Sequence, residues 1–357
     1  MPKLNILFLE SYFGGSHKKA ALDFKKIALE NGFGFELMTQ KPRHWRWRFS
    51  FSHLDFIQRI EQPNNFDYIF CTSLTDTSAL RAMLSQKGYS GKVATYFHEN
   101  QLGYPKGEDL AKKNDYFAAI HLNQILSSDL LFFNSKFHRD SLFEELSHHV
   151  RLIPDTLASD LLGESLAKSF VVGVGVDQDI NTFERVDRDI DLLWNHRWEE
   201  DKNPAGYVNL ALKLIKEKPN LKIALLGDNF SGRNNHLFSK VPTKNIVSFG
   251  KVKRDEYLHL LGRSRLLPVT SYHDFFGISV VEAINAGVIP LLPHRLSYPE
   301  LIPKVFHHEL LYTGDPFEKA LSLLESSMRD RRLFDHLSRF NPESVYKNIL
   351  NLCQEHL

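Results

Sequence analysis

Short apolar runs alternate with longer amphipathic stretches along the whole chain. Residues 4–9 (LNILFL) read as a buried strand, followed by Gly14 and Gly15 and a helix through about residue 30. Residues 66–70 read as the next strand, with a helix over 78–86. KVATYF at 92–97 is a third strand and ends in the polar run HENQ at 98–101. A long helix is expected near 110–126, then a strand at 130–133. Strand, loop and helix in regular order predict a parallel sheet covered by helices on both faces.

The alternation breaks and then restarts. Residues 172–179 (VGVGVDQD) are rich in Gly and Asp, and 184–191 are densely charged, so a linker is expected around 177–191. Strands follow at 192–195, 221–226, 266–269 and 288–292, with helices at 205–217, 254–262 and 278–287. The helix over 278–286 is apolar nearly all round, which predicts deep burial. Residues 341–356 read as one further helix. The expectation is an α/β protein of two doubly wound, Rossmann-like parallel-sheet domains facing a central cleft. Residues 1–180 form the first and 181–340 the second, and a helix over 341–357 is free to cross back to the first. Ligands of such sheets bind outside the carboxyl ends of the strands.

Size and charge agree with that division. The 357 residues exceed one ordinary core. Lys plus Arg is 44 and Asp plus Glu is 43, a net charge of +1. No global field draws in a polyanion, so contact with nucleic acid must come from a local patch. Two distant cysteines, Cys71 and Cys353, exclude a disulfide framework and a zinc ribbon and suit a reducing compartment. No apolar run approaches the ~20 residues of a membrane span, and neither a signal peptide nor stable membrane insertion is expected. The expected location is the cytoplasm.

The strongest chemical signal is HDFFGISVVE at 273–282. Gly277 stands where a loop turns into a helix. The free N–H groups and partial positive charge of a helix start suit a diphosphate, and Gly277 lets the backbone approach it. Asp274, before the helix, is placed to accept from sugar hydroxyls, and Glu282, just over one turn in, to hold a ribose diol. Phe276 and Ile278 flank this turn. The plain alternative is a loop acid plus a buried, paired Glu. The second signal is WNHRWEEDK at 194–202, after the first strand of the second half. Arg197 binds phosphate as a fork and Lys202 as a point charge, and both suit a leaving diphosphate. A solvated charged loop is the alternative there. In the first half, Gly14 and Gly15 follow a strand and open a helix, as a loop approaching phosphate or sugar does. The full GxGxxG is missing, which argues against a dinucleotide dehydrogenase. The polar run after the strand at 92–97, with Glu99, Asn100 and Gln101, points toward the ligand edge, and Asn134 is similarly placed or caps the next helix.

Together these features resemble the retaining GT-B glycosyltransferases of the glycogen-synthase-like, family-4 type, which carry an Arg and a Lys five apart and then an acidic pair flanking Phe-Gly. The first acid is usually Glu there and is Asp274 here. Within that group YFGGSH at 12–17, YFHENQ at 96–101 with Tyr104 and Pro105, HRWE at 196–199 with Asp201 and Lys202, HDFFG at 273–277 and YPE at 298–300 are similar to the tRNA-queuosine alpha-mannosyltransferases. The resemblance implies GDP-mannose as donor, retention of configuration, and the queuosine cyclopentenediol in the anticodon loop of an aspartate tRNA as acceptor. It also implies that His98 lies beside the reacting sugar, and it places Ser16 and His17 on the acceptor side. No carboxylate nucleophile stands out. The expected catalysis is leaving-group assistance, with phosphate oxygens held by Arg197 and Lys202 receiving the acceptor proton.

Residues 37–54 contain no acid but carry Lys41, Arg43, Arg46 and Arg48 interleaved with Trp45 and Trp47. Arg and Trp together suit RNA phosphates and unpaired bases. A lipid surface suits them too, and a loop with packed Trp and wet Arg is the bland reading. Asp187, Asp189 and Asp191 have metal-motif spacing but fall in the expected linker, and His148, His149, His307 and His308 lack partners at ligand spacing. No metal or other cofactor is expected. The rival functions are a GT-B enzyme with a lipid or small-molecule acceptor, and a tRNA-binding protein without catalysis.

Overall fold

The computed structural model describes residues 3–103, 114–154, 158–178, 188–228, 235–326 and 330–357. The predicted motif residues Tyr104 and Pro105, the start of the 110–126 helix and Asp187 lie outside them. The chain forms two units: Met1–Gly175 with Pro342–Leu357, and Val176–Asn341.

Each unit holds one six-stranded sheet, and every recorded strand pair is parallel. In the first unit the strands are β1 (Asn5–Glu10), β2 (Gly34–Thr39), β3 (Tyr68–Thr72), β4 (Lys92–Phe97), β5 (Leu130–Phe133) and β6 (Ser169–Val171). Their spatial order is β2-β1-β3-β4-β5-β6, so the order reverses at β1. The second unit has β7 (Ile190–Trp194), β8 (Ile223–Leu226), β9 (Ile246–Gly250), β10 (Ser264–Pro268), β11 (Ile289–Pro293) and β12 (Leu311–Tyr312). Their order is β12-β11-β10-β7-β8-β9, and the reversal falls between β7 and β10.

The inner strands are apolar on both faces because helices cover both sides. Every residue of β3, β5 and β8 is buried. The first core is aromatic: the rings of Phe24 and Phe70 stand edge-on at 5.7 Å, and Phe8 stacks on Phe70 at 6.1 Å. The helix Pro342–Glu355 closes that core. Tyr346 stacks on Phe24 at 5.1 Å, and the Tyr68 hydroxyl donates to the carbonyls of Cys353 and His356.

Two local readings are corrected. The strand at the expected linker's end starts earlier, at Ile190, and Asp189 just before it and Asp191 within it pair with Arg263 and Arg265. The stretch 37–54 is not a loop. It contributes β2 and then the helix Trp45–Arg59, whose buried face is Phe49, Ser52, His53 and Phe56 at helical spacing.

Ile349 is fully buried in the core that the C-terminal helix closes. Ile349→Ala should destabilise the chain by about 2–5 kcal/mol. Thermal unfolding against wild type checks it, and an unchanged midpoint would mean the helix is not part of that core.

Candidate active site

In the second unit the site is built where the strand order reverses. The loop after β7 carries Arg197 and Lys202, and the loop after β10 carries His273 and Asp274. Lys202 is only 8% exposed, and its Nζ donates to the His273 carbonyl at 2.7 Å and to Asp274 Oδ2 at 3.2 Å, with Asp201 Oδ2 at 3.3 Å. The two loops are stapled together. Tyr272 and His273 donate their N–H groups to the Asp201 carbonyl, and Thr270 Oγ1 donates to the carbonyls of Lys202 and Asn203. Asn203 takes a left-handed conformation and its side chain caps the helix Pro204–Glu217.

Burial alone would raise the Asp274 carboxyl, but Lys202, His196 and the Phe276 N–H hold it below its ordinary value. Burial and the nearby Lys202 charge push His196 and His273 down to about 4, so both rings are neutral at pH 7. The Tyr298 hydroxyl donates to Asp274 Oδ2 at 3.3 Å. Lys202, His196, Tyr298 and the Phe276 N–H therefore all bear on this carboxylate, and sequence reasoning places Lys202 and Phe276 in the site but not His196 or Tyr298. The signal for Tyr298 and His196 was their place in the motifs at 298–300 and 196–199.

Gly277 precedes the helix Ile278–Asn285 with φ +97°, in the left-handed region that favours glycine, and no side chain caps that helix. A helix start without a side-chain cap suits an anion. Phe276 is buried and meets Phe340 edge-on at 4.8 Å, so its side chain is packing and not a ligand surface. Glu282 is already engaged: Arg254 lies 2.6 Å from one oxygen and the Tyr257 hydroxyl donates to the other at 3.0 Å. Both partners went unread, since Arg254 and Tyr257 lie on a helix that carries no motif. Arg197 is half exposed and sits 3.8 Å from Asp201, a weak tether that leaves its fork toward solvent.

The first unit places its polar groups at the carboxyl edge of its own sheet. Gly14 and Gly15 open the helix Gly15–Glu30; Gly15 has φ +52°, and a side-chain carbon at Gly14 would come within 2.6 Å of Pro42. Ser16 is exposed. His17 Nδ1 lies 3.4 Å from Oε2 of Glu10, a buried acid at the end of β1 that the sequence did not flag. Burial works against protonation of His17, but Glu10 and Glu99 raise its pKa above the ordinary value. His98 lies with its ring centroid 4.9 Å from His17, and burial with two histidine neighbours drives its pKa well down. Glu10, His17 and His98 form the only His, Cys, Asp or Glu group among the described residues with spacing for a metal ion, one ligand atom of each within 4.8 Å of the others.

The loop after β4 is fixed from below. Asn134 donates to the His98 carbonyl at 2.8 Å and pairs with His138 Nδ1 at 2.7 Å, so it is a brace and not an acceptor contact. The Gln101 N–H donates to His121 Nε2 at 3.0 Å, and His121 Nδ1 meets Gln124 at 2.8 Å. Asn100 is buried and its side chain accepts from the N–H groups of Leu102 and Gly103, so it too shapes the loop. Glu99 and Gln101 are partly exposed, and the Gln101 side-chain amide donates to Glu99 Oε1 at 3.2 Å.

The basic segment divides. Trp45 packs on the core beside Phe117, and Arg48 donates to Gln40 at 2.9 Å, so neither is a free contact. Lys41, Arg43 and Arg46 are exposed, and Trp47 is 68% exposed. Phe51 continues that face, with its ring 5.4 Å from Trp47.

Comparison with known proteins agrees with this geometry. Residues 5–176 match the model of the tRNA-queuosine alpha-mannosyltransferase N-terminal family, and residues 177–332 match the glycosyl transferases group 1 family. The tRNA-queuosine alpha-mannosyltransferase of Drosophila melanogaster is 29% identical over 376 aligned residues, covering 99% of this chain and 98% of that one. Among solved structures, a UDP-forming alpha,alpha-trehalose-phosphate synthase from Burkholderia xenovorans superposes with TM-score 0.66 at 12% identity, covering 98% and 99% of the two chains. The sucrose-phosphate synthase of Thermosynechococcus elongatus does so with TM-score 0.65 at 13% identity, covering 98% and 94%. At such identities these two matches speak for the GT-B fold alone. No helix among the described residues is long and apolar enough to cross a membrane. With the two matches together spanning residues 5–332 and a relative aligned over its full length, the chain is a glycosyltransferase whose first half matches the tRNA-queuosine alpha-mannosyltransferase N-terminal family and whose second half matches the glycosyl transferases group 1 family.

Proposed function

We propose that this enzyme transfers mannose from GDP-mannose, with retention, to a cyclopentenediol hydroxyl of queuosine in the anticodon loop of an aspartate tRNA. The observation that carries the donor half is the corner where Lys202, Asp274 and the uncapped turn at Gly277 meet, at the strand reversal of the second unit. A cation and open helix N–H groups are what a leaving diphosphate needs. The similarity to the Drosophila tRNA-queuosine alpha-mannosyltransferase supports the sugar and the acceptor. Arg197 and Lys202 bind the diphosphate and take up its growing charge. Asp274 orients sugar hydroxyls through oxygen lone pairs left over by its partners, and Glu282 does the same for the ribose. Gly14 and Gly15 admit the donor, and His98 stands beside the sugar. The acceptor proton passes to a phosphate oxygen. No metal takes part: a Lys and an Arg supply the positive charge.

Arg197 and Lys202 differ in what their loss should do. Arg197→Ala removes an exposed contact and should lower single-turnover rates by about 3 kcal/mol, roughly a hundredfold, with folding intact. Lys202→Ala should lose turnover and also stability, because it strands the carboxylates of Asp201 and Asp274. Asp274 is depressed in the folded chain, so its stabilisation is full above the ordinary carboxylate range and fades as pH falls through it. The gap in melting temperature between wild type and Lys202→Ala should therefore narrow in acid. Unchanged rates in a folded Arg197→Ala protein would remove that residue from the site.

The exposed face of Lys41, Arg43, Arg46 and Trp47 grips the acceptor RNA in this reading. Replacing Arg43, Arg46 and Trp47 by Ala should weaken tRNA binding and flatten its salt dependence, with base stacking on Trp47 contributing about 1–3 kcal/mol. Binding of GDP should stay as in wild type. Paired titrations with tRNA and GDP decide it. Equal tRNA affinity in both proteins sinks the RNA assignment, and a loss of liposome binding instead moves the face to a lipid surface.

Turnover should survive EDTA unchanged. Activity abolished by EDTA and restored by Mg²⁺ or Mn²⁺ would contradict the charge assignment to Lys202 and Arg197.

A further inference from the structure

Three groups at the carboxyl edge of the first sheet come from three separate elements. Glu10 ends β1, His17 lies in the first turn of the helix Gly15–Glu30, and His98 follows β4. Their geometry differs from that of an ordinary hydrogen-bonded cluster in three ways.

The first is a spacing. His17 Nδ1 and Glu10 Oε2 are 3.4 Å apart. A charge-assisted hydrogen bond closes to about 2.7–2.9 Å. Two ligands of one tetrahedral ion, each bonded at about 2.0–2.1 Å, stand roughly 3.3 Å apart. The second is the state of the carboxylate. Glu10 is fully buried, and its Oε1 accepts from the Tyr12 N–H at 2.8 Å and the Thr72 hydroxyl at 3.3 Å. That turns Oε2 toward His17, which is how outer partners orient a metal ligand. The third is an orphan. Nε2 of His98 is buried and makes no hydrogen bond among the described residues. A buried polar atom without a partner calls for an explanation.

We propose that Glu10, His17 and His98 form a binding site for a divalent transition-metal ion, Zn²⁺ by ligand chemistry, with one coordination position open, and that filling it stops glycosyl transfer. Two imidazoles and a carboxylate suit Zn²⁺. Mg²⁺ and Ca²⁺ take oxygen sets and do not fit. The ligand atoms already lie within 4.8 Å of one another, and binding would draw them in to the roughly 3.3 Å of a filled tetrahedral site. As a ligand through Nδ1, His17 keeps its proton on Nε2. The inhibitory consequence rests on the reading that His98 serves the reacting sugar. The site itself does not.

The test uses the full-length chain stripped with EDTA. Co²⁺ serves as a visible probe. The expected result is saturable binding with the absorption bands of low-coordinate Co²⁺, displaced by Zn²⁺ and untouched by Mg²⁺. His17→Gln should weaken Co²⁺ binding at least tenfold, and Glu10→Gln should do the same. Wild-type far-ultraviolet circular dichroism with cooperative thermal unfolding shows that each variant is folded. Bands and affinity unchanged in a folded His17→Gln protein overturn the site. In parallel, initial transfer rates are read with and without Zn²⁺. Zn²⁺ should suppress wild type strongly and leave the residual rate of His17→Gln insensitive. A wild-type rate unmoved at Zn²⁺ levels that displace Co²⁺ would overturn the inhibition, and with it the placing of His98 at the sugar, while the site would stand.

Discussion

A buried ammonium needs partners, and the second unit is arranged to give Lys202 three of them. Two carboxylates and a carbonyl from the loops after β7 and β10 surround it. An isolated charge so deep would be prohibitive. Meeting its needs fixes both loops against each other, through Thr270, Asn203 and the N–H groups of Tyr272 and His273. The same cation depresses Asp274 against the effect of burial, and burial together with that cation keeps the flanking histidines neutral. The turn at Gly277 follows directly from this stapled loop. The corner that could take a diphosphate is thus preorganised by one charge and its neighbours.

The edges of the sheets mark how far the sequence can be read. The eight strands that apolar runs predict are β1, β3, β4 and β5 in the first unit and β7, β8, β10 and β11 in the second. The four it does not predict are β2, β6, β9 and β12, and each lies at an edge. An inner strand is covered on both faces and reads as a solid apolar run. An edge strand is short or half wet: β9 has no fully buried residue, and β12 is two residues long. Its pairing comes from the neighbouring strand, which local pattern cannot supply.

The site divides along similar lines. Residues whose role depends on the end of a strand or the start of a helix were legible, and so Gly277, Asp274, Lys202 and His98 could be named from position and motif. Residues whose role depends on a partner far along the chain were not. Glu10 looks like the tail of an apolar run, yet it is the acid beside His17. Arg254 and Tyr257 sit on an unremarkable helix and engage Glu282. Trp45, Arg48 and Asn134 have the right residue types for a ligand but are spent inside the protein, because packing and buried hydrogen bonds claimed them first.

The central claim is that this chain moves mannose from a guanosine diphosphate to queuosine. Labelled GDP-mannose and two preparations of the same aspartate tRNA, one with queuosine and one with guanosine at that position, test it directly. The account predicts label on the queuosine tRNA alone, in the presence of EDTA, with one GDP released per mannose transferred. No label on either tRNA, or equal label on both, from a folded protein that binds GDP, would contradict it.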